Sequence, residues 1–139
     1  MPVVLQSRLR GFSRRNLRSA VDRAMRRLDL ADYELSLLVV NDRDMTESNR
    51  RFFGKSSPTD VIAISQVEGA PLLVSGERLL GDVIVSWDAA RRQAMEFGHS
   101  PDRELSILAV HGLLHTIGMD DKTPAQRRSM MARTRRLLA

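Results

Sequence analysis

The stretch Leu105-Ser-Ile-Leu-Ala-Val-His111-Gly-Leu-Leu-His115-Thr-Ile-Gly118-Met-Asp-Asp121 decides how this chain is read. Leu105 to Ile117 is the longest apolar run and carries two of the three histidines. At about 13 residues it falls short of a bilayer span of about 20 and reads as a core helix. Four residues on a helix advance about 6 Å and turn slightly more than once, so the two imidazoles stand on one face and a single ion can bridge them. Gly118 sits where a helix would stop, because glycine enters the left-handed conformation cheaply. The returning chain can then bring the Asp121 carboxylate to the same ion. Two imidazoles and one carboxylate leave a position open for water, which is the pattern of a catalytic zinc site rather than a structural one. Two histidines on an apolar helix can also be satisfied core residues, but the spacing, the turn glycine and the carboxylate together favour the metal reading. His99 follows Gly98 beyond an expected helix end, where a histidine caps carbonyls or faces water, and is given no metal role.

Outward from this segment, 139 residues at 42% hydrophobic content suit one domain spanning 1–139 with a real core. With no cysteine there is no disulfide framework, and the run Val3-Val4-Leu5 is too short for the apolar region of a signal peptide. No membrane span is expected, and a cytoplasmic protein is. The formal charge of +5 is unevenly spread. Met1–Arg27 holds eight arginines against Asp22, net +7, and Lys122–Ala139 holds six basic residues and no acid, net +6, which leaves −8 for the middle. Arginine outnumbers lysine 20 to 2, which favours bidentate phosphate contacts if these ends meet RNA. Solvated helix faces are the equal alternative, and aromatics for base stacking make up only 4% of the chain.

Periodicity supplies the remaining elements. Leu17, Ala20, Val21, Ala24 and Leu28 recur at helical spacing behind Ser13 as N-cap. Tyr33–Val40 reads as a buried strand, and Met45–Phe53 as a helix. Gly54-Lys55-Ser56-Ser57-Pro58 has turn composition, and Val61–Ile64 is a short β-branched strand. Gln66–Glu77 reads as a loop or hairpin feeding a strand at Leu79–Ser86, which Asp82 interrupts. Asp88 is expected to cap a helix through Ala90, Ala94 and Phe97 to Gly98. Ser100-Pro101 then opens the histidine helix. Thr123-Pro-Ala-Gln126 is a capping box opening a last helix with Met130, Thr134, Leu137 and Leu138 inside. The expected class is α+β, a single small mixed β-sheet covered by helices, with a zincin-like metal-binding helix at its centre.

Asn49–Phe53, Gly54, Pro58-Thr59-Asp60-Val61, Leu80-Gly81-Asp82 and the His111 segment together resemble, in order and spacing, the YbeY family of bacterial ribosomal-RNA maturation endoribonucleases. That resemblance covers Asn49–Asp121, about half of the chain. It implies an α+β metalloprotein fold and one divalent ion, with zinc the usual choice, held by His111, His115 and the residue at position 121. The family signature has a third histidine there and this chain has Asp121. A carboxylate oxygen binds zinc at a similar distance, but the added negative charge makes bound water less acidic and favours harder ions such as manganese or iron. Phe53 stands where the family usually has an arginine considered important for activity. Arg50, three residues earlier, is the first candidate for the missing cation, with Arg51 and Lys55 behind it. The run Val61–Ser65 also lacks the serine, phenylalanine and proline that the family tends to place there.

The resemblance thus implies a metal-dependent single-strand endoribonuclease in ribosomal-RNA maturation and ribosome quality control, with RNA and the ribosome as partners and metal-bound water as nucleophile. Beyond that water no catalytic group is assigned. Asp82 could position it, or could simply bulge its strand. Asp120 could orient a histidine or stabilise a turn. Two other classes compete. The histidine spacing also resembles that of some metzincin proteases, but Gly112 stands where such enzymes carry a glutamate base. A non-catalytic RNA- or ribosome-binding factor would need only the basic ends.

Overall fold

In a computed structural model that describes residues 3–56, 59–66 and 78–139, four strands and five helices follow in the order β1 (Val3–Ser7), α1 (Arg14–Arg27), β2 (Tyr33–Val40), α2 (Asp42–Phe53), β3 (Val61–Ser65), β4 (Arg78–Ser86), α3 (Trp87–Phe97), α4 (Pro101–Thr116) and α5 (Pro124–Leu138). The sheet order is β1-β2-β4-β3, with β1, β2 and β4 parallel and β3 antiparallel to β4. This is the expected α+β class, one mixed sheet with helices upon it. Residues 57–58 of the expected turn and 67–77 of the expected loop lie outside the described residues.

Helix boundaries follow local chemistry. Ser13, Asn41, Ser86, Ser100 and Thr123 each accept a bond from a backbone N–H of the first turn, an interaction worth about 1 kcal/mol per cap. Thr123 and Gln126 complete the reciprocal capping box. Capped by Asn41, α2 starts at Asp42, three residues before Met45. The cap of α3 is Ser86 and not Asp88. Asp88 is already helical, and its Oδ2 instead accepts the Asp42 N–H at 2.8 Å. Asp42 in turn accepts from Ser86 Oγ at 3.1 Å and from Arg92 at 2.6 Å, so the starts of α2 and α3 cap one another. The Arg92 bond holds the Asp42 carboxyl below the usual carboxylate range.

Strand β1 was not anticipated beyond an apolar run. Val3 and Leu5 are buried and Val4 is exposed, and the strand exists because Val3–Ser7 aligns with Leu35–Val39 of β2. A five-residue strand has little local signal of its own, so the partner decides it.

The main core includes β1, β2, β4, α1, α4 and α5, with α3 joining through Trp87 and Ala90. Helix α4 lies at its centre, buried at Leu105, Leu108, Ala109, Val110, Leu113 and Leu114. A helix apolar around its whole circumference has to be an inner one. It crosses β3 and β4 so closely that a Cβ added at Gly112 would lie 2.4 Å from Val83 Cγ1 and 3.1 Å from Val61 Cγ2. On the opposite sheet face Met45 of α2 packs with Val40, Ile62 and Ile84. Among the described residues no helix is long and apolar enough to cross a membrane.

Candidate metal centre and cleft

Helix α4 stops at Thr116, and Gly118 takes φ of +98°, the positive value its position required. The reversal brings Asp121 Oδ2 to 3.4 Å from His115 Nε2. His111, one turn earlier, is more deeply set. Burial holds its imidazole below the usual histidine range, His115 adds to that, and the Asp121 and Asp60 carboxylates oppose it. His111 is therefore favoured as the neutral imidazole, the form that binds metal.

The three expected ligands are thus neighbours. As the side chains stand they do not converge on one point, and no trio of histidine, aspartate or glutamate among the described residues does. The donor chemistry nonetheless fits a divalent ion of borderline softness: two imidazoles, one held neutral, and a carboxylate on a half-exposed turn. Asp121, with 42% of its side chain exposed, is the expected ligand with room to swing.

A cleft of about 450 Å³ opens beside these groups, lined by Phe53, Asp60, Ile62, Ser65, His115 and Asp121 among others. It follows β3, the edge strand of the sheet. Ser65 is anchored by donating its hydroxyl to the Thr116 carbonyl at 2.9 Å, which fixes β3 against the end of α4.

Asp82 is not part of this cleft. Side chains alternate along β4, and Val83 packs under Gly112. Asp82 therefore points to the α2 side, level with Ile64, and accepts from Gln66 Nε2 at 3.2 Å. Besides Asp121, the carboxylate that does line the cleft is Asp60, which is steadied by Gln93 Nε2 at 3.1 Å. It was visible in the Pro58-Thr59-Asp60-Val61 motif, but nothing local gave it a role, because Gln93 comes from α3 and His111 from α4. Arg50 makes a surface pair with Glu47 at 2.5 Å, while Arg51 and Lys55 are exposed and, of this group, only Phe53 lines the cleft. Asp120 is exposed. His99 makes a 2.5 Å contact through Nε2 with buried Glu104, rather than capping carbonyls.

A family model described as Endoribonuclease YbeY matches residues 6–139. The chain belongs to the YbeY family. Its relatives include the Endoribonuclease YbeY of Symbiobacterium thermophilum, 42% identical over 125 residues, with 84% of this chain and 80% of the relative covered. That of Bacillus cereus is 38% identical over 128 residues, covering 88% and 82%. The solution structure of TM1509 from Thermotoga maritima superposes with a TM-score of 0.63 at 20% identity, over 97% of this chain and 87% of that one, a likeness of fold.

Proposed function

We infer that this member of the YbeY family is an endoribonuclease acting on ribosomal RNA in the cytoplasm, and that its cleft works with one divalent ion, zinc in the first instance, held by His111, His115 and Asp121. The observation that carries the reading is the meeting of His115 and Asp121 at the mouth of an edge-strand cleft, in a chain whose relatives are named endoribonucleases. A divalent ion held there would polarise a phosphodiester and raise the acidity of the attacking water.

The chain's own groups supply the rest. Burial keeps His111 unprotonated and ready to bind. The Gln93 bond keeps Asp60 facing the cleft, where its carboxylate can accept a proton from water or hold that water in line. The outer edge of β3 offers backbone N–H groups to phosphate oxygens. Arg51 and Lys55, exposed and close to Phe53 in sequence, are the candidate substrate cations, since Arg50 is already paired with Glu47. A protease is disfavoured, because Gly112 supplies no base and has no room for one. The competing assignment, a binding factor without catalysis, rests on the departures at Asp121 and Phe53 together with the basic ends.

Elemental mass spectrometry of the purified protein and of Asp121→Ala, run beside cleavage of ribosomal RNA fragments by both, tests the assignment. One ion per chain and metal-dependent cleavage, both lost in Asp121→Ala, are expected. A metal-free wild type that binds RNA but never cuts it would make the protein a binding factor.

A further inference from the structure

We propose that α5 is a rail for a single RNA strand leaving the cleft, contacting successive phosphates through Arg127, Arg128, Arg135 and Arg136 and ending where α1 and α5 meet. The proposal rests on the RNA-cleaving interpretation of the cleft, and four observations carry it.

The rail begins at the site. Helix α5 starts three residues after Asp121, and Arg127 Nη1 lies 3.3 Å from the Asp121 carbonyl oxygen and 3.4 Å from that of Lys122. A strand whose phosphate sits beside Asp121 therefore meets α5 at its first turn. At about 1.5 Å per residue the helix then carries positive charge roughly 22 Å away from the cleft.

Its charge is one-signed and turned outward. Lys122–Ala139 contains six basic residues and no acid. Met130, Thr134 and Leu137 face the core, which turns Arg128, Arg135 and Arg136 to the opposite side, where all three are exposed. None of the ion pairs among the described residues engages an α5 arginine.

At its far end the rail joins the other basic block. Arg27 Nη1 donates to the carbonyls of Arg136, Leu137 and Ala139 at 3.0, 2.9 and 2.7 Å, and Arg23 Nη2 donates to that of Leu138 at 3.3 Å. Guanidinium groups on the last carbonyls of a helix suit its negative end. They also add cations where α5 stops, so two basic segments at opposite ends of the sequence form one surface.

Finally, the surface suits a phosphate chain and not a bilayer. A helix lying on a membrane buries large apolar side chains among the lipids. The exposed large apolar residues, Val4, Phe52, Phe53, Met95 and Phe97, all lie off α5. With no aromatic on α5 to stack bases, contact goes to the phosphates and is indifferent to sequence.

The test is fluorescence anisotropy of the full chain with unstructured RNAs of about 4 and about 16 nucleotides, in chelator so that nothing is cut, across a salt series. The wild type is compared with the combined Arg128→Gln, Arg135→Gln and Arg136→Gln variant, its fold checked by thermal melting. The wild type should hold the long RNA at least tenfold more tightly, with the steeper salt dependence. In the variant the slope for the long RNA should fall by about 2, at roughly 0.7 per lost phosphate contact, and the short RNA should bind as before. An unchanged slope overturns the rail, as does an equal loss for both lengths or a preference of the wild type for phosphatidylglycerol vesicles over the long RNA. A wild type that binds long RNA through these arginines but cuts nothing when metal is restored leaves the rail standing and removes the nuclease assignment.

Discussion

At the residue scale, Gly112 and Phe53 set opposite kinds of limit. A Cβ at position 112 would press into the Val83 and Val61 methyls, which close packing cannot absorb without moving α4 off the sheet. Gly112→Ala should cost about 2 kcal/mol in urea unfolding and lower Tm by roughly 8 °C, and a melting curve like the wild type's would contradict the packing described here. The cause is overpacking, so the difference from the wild type should persist when metal is added to both. Phe53 presents a half-exposed ring on the rim, where a cation would reach a phosphate. Phe53→Arg should raise affinity for single-stranded RNA severalfold at low salt, adding one contact and about 0.7 to the salt slope. A gain that persisted undiminished at high salt would show that charge is not its cause. Neither limit depends on sequence patterning. The closeness of Gly112 to β3 and β4 is set by residues about 30 and 50 positions away, although the glycine's presence between two ligands was plain.

At the scale of elements, α4 brings the half-buried histidines, the sheet contact and one further ionisable group together. Glu104 is buried in its first turn and bonded to His99. Burial pushes its carboxyl above the usual glutamate range, opposed by the His99 bond. An acid with a raised pKa in the fold binds its proton more tightly folded than unfolded. The stabilisation from that proton is then complete below the unfolded value and is lost as pH rises through the folded one. Glu104→Gln removes this dependence. The stability of the wild type minus that of Glu104→Gln should therefore decline as pH rises above the ordinary glutamate value of about 4 in parallel urea titrations, and a difference that is flat with pH would refute the assignment. The caps at Ser13, Ser100 and Thr123 were legible because a hydroxyl before a helical pattern acts within four residues. Asp88 misled because Ser86 and Asp88 are both good cap residues, and the choice between them fell to Asp42, which is 46 residues away in sequence. Strand β1 was invisible for the same reason, its strand pairing running entirely to β2.

At the scale of the whole molecule, the fold joins what the chain keeps apart. The proposed ion site would assemble only when α4, the turn to Asp121 and the cleft wall are in place, so metal should bind the folded state and stabilise it. At 100 times its Kd, zinc should add about 2.7 kcal/mol, seen as a rise in Tm that vanishes in His115→Ala and in Asp121→Ala. A rise retained in both variants would place the ion elsewhere. The α1–α5 junction follows the same logic, since two basic segments separated by an acidic middle come together only through the docking of Arg27 and Arg23 on the last carbonyls of α5. By itself, then, the sequence determined the helix carrying His111 and His115, the turn at Gly118, most caps, three of the four strands and the α+β class. Each of these is written in contacts a few residues long, as a period, a hydroxyl or a glycine. Tertiary structure alone decided that Asp60 and not Asp82 faces the cleft, that β1 is a strand, that Gly112 must be bare and that the basic ends share a surface. Those outcomes depend on which face of a strand meets α4 and which distant carbonyl a side chain reaches. Such choices are settled by packing and hydrogen bonding between segments, and a linear pattern holds no record of them.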